Sequence, residues 1–166
     1  MSPTPSIAVE ATVEAGDWGS EEVWRPLVER VCAAVAARPE LIVPEAAELS
    51  LLLTDDAHVR VLNRDWRGQD KPTNVLSFPA ADEDDEEPGP LLGDVAVARE
   101  TTAREAAEEG KTFDDHFAHL LVHGLLHLFG YDHLEDDEAE EMEALETEIL
   151  AGLGIADPYA DPPTAT

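Results

Sequence analysis

Residues 113–129, "FDDHFAHLLVHGLLHLF", limit the architecture more than any other segment. Phe117, Leu120, Leu121, Val122, Leu125, Leu126, Leu128 and Phe129 fall on nearly every face of a helix drawn through them. A helix apolar along one stripe can lie at a surface, whereas one apolar all round has to be enclosed by other elements. The 166 residues are therefore expected to fold around this helix, and they suffice for one buried core. Thr112 as N-cap, with Asp115 three residues on, gives the helix a defined start, and Gly130 ends it.

The enclosing elements follow from period and punctuation. Residues 7–13, 48–54, 73–79 and 91–98 read as strands. Residues 21–37 put Trp24, Leu27, Val31 and Val35 on one helical face behind Ser20 as N-cap, although Pro26 opposes the early turns. Asp55 or Asp56 caps a helix that carries Val59, Leu62 and Trp66 on one face and stops at Gly68. Residues 99–109 are helical up to Gly110, and 134–150 form a last helix with Met142, Leu145 and Ile149 aligned. The order β, α, β, α, β, β and three helices predicts an α+β fold, a single compact domain over 1–166. Its mixed sheet of about four strands is covered by helices, with the histidine-bearing helix central and buried. Residues 1–6 and 156–166 read as flexible ends, and 82–90 as an acidic loop inside the charge run "AADEDDEEPGP". A basic partner for that run is the alternative to a solvated loop.

The formal charge of −28 repels nucleic acid at long range and favours solubility. It also suits a cytoplasm of high ionic strength, and a melting curve that gains nothing up to molar KCl would sink that idea. Cys32, the single cysteine, sits in "VCAAVAA" and reads as a small core residue. No apolar run reaches the length of a membrane span, no signal-like segment opens the chain, and no disulfide framework exists, so a cytoplasmic location is expected.

Three histidines punctuate the most apolar region, in "HGLLHLFGYDH". His123 and His127, four apart, lie one above the other on a helix and can converge on one ion. Gly130 allows a left-handed exit, after which His133 supplies a third ligand. Three protein ligands and an open position are the pattern of catalytic zinc, which acidifies bound water toward a pKa of ~7. Nickel and copper also accept three imidazoles. The bland alternative is a set of satisfied core or cap histidines. Gly124 stands where the metalloprotease motif H-E-x-x-H has its general-base Glu. Its missing side chain is read as room beside the ion for a bulky substrate. His116 and His119 share the same face and are either satisfied polar residues or supports for the ligands. Asp132 either orients a ligand imidazole or caps the last helix with Glu135. His58 reads as a surface residue.

Arg60, Arg64, Arg67 and Lys71 are four of ten cations, within twelve residues of an acidic chain. Arg60, Arg64 and Arg67 share a helix face, and the arginine fork suits phosphate. A solvated face paired with nearby carboxylates is the alternative, weaker for Arg67, which adjoins the loop "GQDKPTN".

"HGLLHLFGYDH", "LNRDWRGQDKPTNVLSFP" at 62–79 and "LLGDVAVA" at 91–98 together resemble the YbeY endoribonucleases, the bacterial rRNA maturation factors. The resemblance covers roughly residues 48–150. It departs at Trp66, where the family often has tyrosine, and in the enlarged acidic loop. It implies a metal-dependent, single-strand-specific endoribonuclease that matures the 3′ end of 16S rRNA and takes part in ribosome quality control. It implies zinc on His123, His127 and His133, a catalytic arginine at Arg67, and partners on the small ribosomal subunit. Arg64 and Lys71 are the accompanying candidates for RNA contacts. Two rival functions stand beside it: a metal-dependent hydrolase of a peptide or small ester, and a ribosome assembly factor that binds without cutting around a structural metal.

Overall fold

The structure is a computed structural model and describes residues 6–80, 90–131 and 136–155. Nine elements follow in order: β1 (Ile7–Val13), α1 (Glu21–Ala36), β2 (Ala47–Thr54), α2 (Asp56–Arg67), β3 (Val75–Pro79), β4 (Leu91–Ala98), α3 (Arg99–Glu109), α4 (Phe113–Leu128) and α5 (Asp136–Gly152). The α+β architecture with a four-stranded mixed sheet is as the sequence implies. The expected flexible ends and acidic loop lie, apart from Ser6 and Pro90, outside the described residues.

The sheet order is β1-β2-β4-β3. β1 runs parallel to β2, and β2 parallel to β4, while β3 returns antiparallel to β4 with Ser77 opposite Val95. The near-continuous apolar runs of β2 and β4 belong to a sheet buried on both faces. Val95 and Val97 point into the main core with α1, α4 and α5, whereas Ala96 and Ala98 point to a smaller cluster with Val59 and Leu76 under α2. α2 and α4 therefore lie on opposite faces of the sheet, and β3 is the edge strand between their ends.

α4 packs against α1, α3, α5, β3 and β4. Phe117, Leu121, Leu125 and Leu126 are buried on its several faces, which is the enclosure its sequence demands. Thr112 caps it by accepting from the Asp115 amide at 3.1 Å, and Gly130 adopts φ +97° beyond its end. Asp55 caps α2 through the His58 amide at 2.9 Å, and Gly68 closes α2 in the left-handed region at φ +70°. α1 continues through Pro26, because Trp24, Val28 and Val31 on the same helix are buried against the core. Ser20 stands at its N-cap without a side-chain hydrogen bond. Cys32 is buried in this core, and desolvation first, then the nearby Glu29 charge, push its thiol up to about 12.

Candidate active site

α4 carries His116, His119, His123 and His127 at spacings of three and four, so the rings stack along one face. Successive ring centroids are 6.1, 6.4 and 4.6 Å apart. The last step brings His123 Nε2 and His127 Nε2 to 3.1 Å. Behind them, His123 Nδ1 lies 2.5 Å from Glu146 Oε1, and His127 Nδ1 lies 2.9 Å from the Tyr131 carbonyl oxygen. Both acceptors draw the ring proton to Nδ1, a tautomer assigned from the hydrogen-bond partners. Both Nε2 lone pairs then point at the same place, an arrangement that repels unless an electron-pair acceptor lies between them.

That arrangement fits zinc. Two imidazole nitrogens at about 2.0–2.1 Å from one tetrahedral ion are about 3.3 Å apart. An acceptor behind each ligand ring is also the usual support for metal-binding histidine. His133, the expected third ligand, and Asp132 lie outside the described residues. Among the described residues, no group of three or more His, Cys, Asp and Glu is placed to hold an ion.

Glu146 escaped the sequence reading. It is fully buried on α5, and its Oε2 lies 3.3 Å from His119 Nε2. The signal was available: Glu146 stands four residues after Met142 and three before Ile149, on the apolar face of its helix. His116 is satisfied at one ring nitrogen only, and its buried Nδ1 makes no hydrogen bond among the described residues. Its Nε2 lies 3.0 Å from Glu105 Oε1, which also accepts from Asn74 Nδ2 at 2.9 Å.

Arg67, at the end of α2, donates from Nη2 to the Ser77 carbonyl oxygen at 3.0 Å and places its guanidinium carbon 5.9 Å from the Phe78 ring centroid. The side chain of the same residue, Ser77 Oγ, donates to the Gly124 carbonyl at 3.1 Å. Ser77 thus links Arg67 to the helix turn that carries His123. Trp66 is 73% exposed, with its ring centroid 6.1 Å from that of Phe78.

Gly124 has a different job from the one its place in the motif suggested. A Cβ there would lie 3.1 Å from both Ser77 Oγ and Val95 Cγ1. One residue is a turn of ~100°, so position 124 faces the sheet and not the histidine face. The glycine lets α4 approach β3 and β4 closely, and the reading of it as room for substrate beside the ion is corrected.

The model of the family described as "Endoribonuclease YbeY" matches residues 12–154. The chain belongs to the YbeY endoribonuclease family. It is 57% identical over 164 residues to Endoribonuclease YbeY of Rhizobium meliloti, an alignment covering 95% of this chain and 98% of that protein. Endoribonuclease YbeY of Agrobacterium fabrum is 52% identical over 161 residues, covering 93% and 96% respectively. The solution structure of TM1509 from Thermotoga maritima is similar in fold, with a TM-score of 0.55 at 25% identity, covering 96% of this chain and 99% of that one.

In this YbeY-family chain the remaining basic residues divide. Arg60 pairs with Asp70 at 2.8 Å and Arg64 with Asp65 at 3.1 Å, all well exposed. Lys71 is exposed, and its carbonyl accepts from the buried Asn63 Nδ2 at 2.9 Å, which pins the loop after α2. A cavity of about 570 Å³ opens near the end of α4, lined by Leu41, Ile42, Phe129 and Tyr131 with Glu40, Glu138 and Glu141. Its carboxylates repel phosphate, and neither His123 nor His127 lines it. No helix of the described residues is long and apolar enough to cross a membrane.

Proposed function

We propose that this chain is a zinc-dependent, single-strand-specific endoribonuclease of the cytoplasm. Its substrate is the 3′ region of 16S rRNA, and its partners are the small ribosomal subunit and associated factors in ribosome quality control. The observation that carries the metal assignment is the 3.1 Å convergence of His123 Nε2 and His127 Nε2, each ring with an acceptor at Nδ1. The RNA substrate rests on the name that the relatives carry.

His123, His127 and His133 hold the ion, which when bound supplies Lewis-acid chemistry at phosphate. The Tyr131 carbonyl keeps His127 in the required tautomer. Arg67 stabilises charge developing on the phosphoryl oxygens. A guanidinium has five N–H donors, so its bond to the Ser77 carbonyl anchors it and leaves capacity for phosphate. Arg64 and Lys71 contact the backbone on either side. The exposed face of Trp66, beside Arg67, suits stacking of an unpaired base and favours single strands over duplex.

Wild type and His127→Ala, purified identically, test this by metal analysis together with cleavage of single-stranded and duplex RNA across salt. Roughly one zinc per wild-type chain and selective cleavage of the single strand are expected, with both lost in the variant. Unchanged cleavage by a zinc-free variant would end the catalytic-metal reading. Retained rRNA processing by that variant without cleavage would favour the assembly factor. Cleavage of a short peptide with RNA untouched would favour the other hydrolase.

A further inference from the structure

We infer that Glu146 is the positioning residue for His123. Its carboxylate, braced across His119 and His123, keeps the His123 proton on Nδ1 and so leaves Nε2 open toward His127. The inference rests on the assignment of His123 and His127 as ligands.

The cost of a carboxylate at this place argues for a task. Glu146 is fully buried among Met142, Leu145, Ile149 and Leu150 of its own helix. A charge buried there is costly unless donors meet it. Each carboxylate oxygen meets a ring on a different turn of α4, Oε1 at His123 Nδ1 and Oε2 at His119 Nε2.

The geometry shows what the carboxylate prevents. His127 faces a carbonyl, which only accepts, so its proton sits on Nδ1 and its Nε2 is a lone pair. His123 Nε2 is 3.1 Å away, which is also hydrogen-bonding distance. A His123 ring that carried its proton on Nε2 would donate to His127, and both nitrogens would be occupied by each other. The pair would close as a histidine–histidine hydrogen bond and be lost to an ion. Glu146 selects the open arrangement, because its acceptor oxygen behind the ring holds the proton on the far side.

The test compares full-length wild type with Glu146→Met, which fills the space without an acceptor, and Glu146→Gln, which keeps one acceptor oxygen. Ring nitrogen shifts by NMR on the metal-free proteins report each tautomer, and chelator competition reports affinity for Zn2+ alone. Wild type is expected to hold the His123 proton on Nδ1. Glu146→Met is expected to move it to Nε2 and to weaken zinc binding roughly 10–100-fold. Glu146→Gln is expected to keep His123 on Nδ1 while its amide turns N–H toward His119 and shifts that ring's proton to Nδ1. An unmoved His123 proton or unchanged zinc affinity in Glu146→Met overturns the inference. Should that variant not fold, a wild-type His123 proton found on Nε2 overturns it. A wild type that binds no zinc refutes the metal assignment instead, and the metal-free tautomers still decide the role of Glu146.

Discussion

At the start of α4, His116 sets Nε2 3.0 Å from Glu105 and Nδ1 3.5 Å from Glu109, both on α3. Near its other end, His123 sets Nδ1 2.5 Å from Glu146 on α5 and Nε2 3.1 Å from a second imidazole. The same two functional groups appear in mirrored environments. The His116 ring is buried and its Glu105 partner is 31% exposed, whereas the Glu146 carboxylate is fully buried and the His123 ring is 26% exposed. At the first end Nε2 bonds Glu105 while Nδ1 lies near Glu109 without a hydrogen bond, and the result is a latch between helices, extended by Glu105 to Asn74 at the entry to β3. At the second, one nitrogen is held and the other meets His127 where solvent reaches. The two ends differ in the group facing the second nitrogen, a carboxylate at His116 and an imidazole at His123.

The largest expected effect comes from Arg67, beyond both ends. Arg67→Ala should keep zinc and lose cleavage by roughly 10²–10³-fold, the usual cost of removing one donor to developing charge. Metal analysis and single-turnover cleavage check it, and zinc loss in this variant would place Arg67 in the scaffold of the ligand end. Gly124→Val comes next. Its side chain collides with Ser77 and Val95, so a loss of roughly 1–3 kcal/mol is expected in denaturant unfolding, with zinc per folded molecule unchanged. Zinc loss without destabilisation would return Gly124 to the metal site.

His116→Gln is expected to cost about 1 kcal/mol of stability through the bond to Glu105, again with zinc affinity intact. Weakened zinc binding would erase the distinction between the two ends of α4. The smallest effect belongs to a third imidazole–carboxylate pair, on the surface. The side-chain bond to Asp55 raises the His58 pKa, and the His58 backbone amide, then its ring, lower that of Asp55. The His58 contribution is fully present below its ordinary 6.5 and fades as pH rises through its raised folded value. That of Asp55 is present above its ordinary 3.8 and fades as pH falls through its lowered one. His58→Ala should therefore lower the melting temperature slightly near pH 5 and leave it unchanged near pH 8. An equal change at both would mean the pair acts through packing.

Much of the scaffold was legible residue by residue. The 91–98 strand and the 99–109 helix fall where period and glycine stops put them, and Thr112, Asp55 and Gly68 act as the caps they were read to be. The third strand starts at Val75, two residues later than the expected 73–79, where Asn74 turns its side chain to its neighbour's amide and to Glu105. Of the candidate site, the convergence of His123 and His127 was legible because an i, i+4 spacing fixes it within one helix. Ser77 was not, since it arrives from another element and nothing local marks it as a partner of α4, and Glu146 was marked only by its place on the apolar face of α5, which names no partner.

The sequence by itself determined that α4 is enclosed, that its histidines share a face, and that the chain carries the family's motifs, for these depend on spacing along one segment. Only the tertiary structure decided that His116 is a latch to α3 and that Glu146 stands behind His123. The packing of α3 and α5 against α4 brings Glu105 to one end and Glu146 to the other, and the close approach of α4 to β3 turns Gly124 toward the sheet. The proton on an imidazole goes where an acceptor waits, and folding sets the acceptors in place.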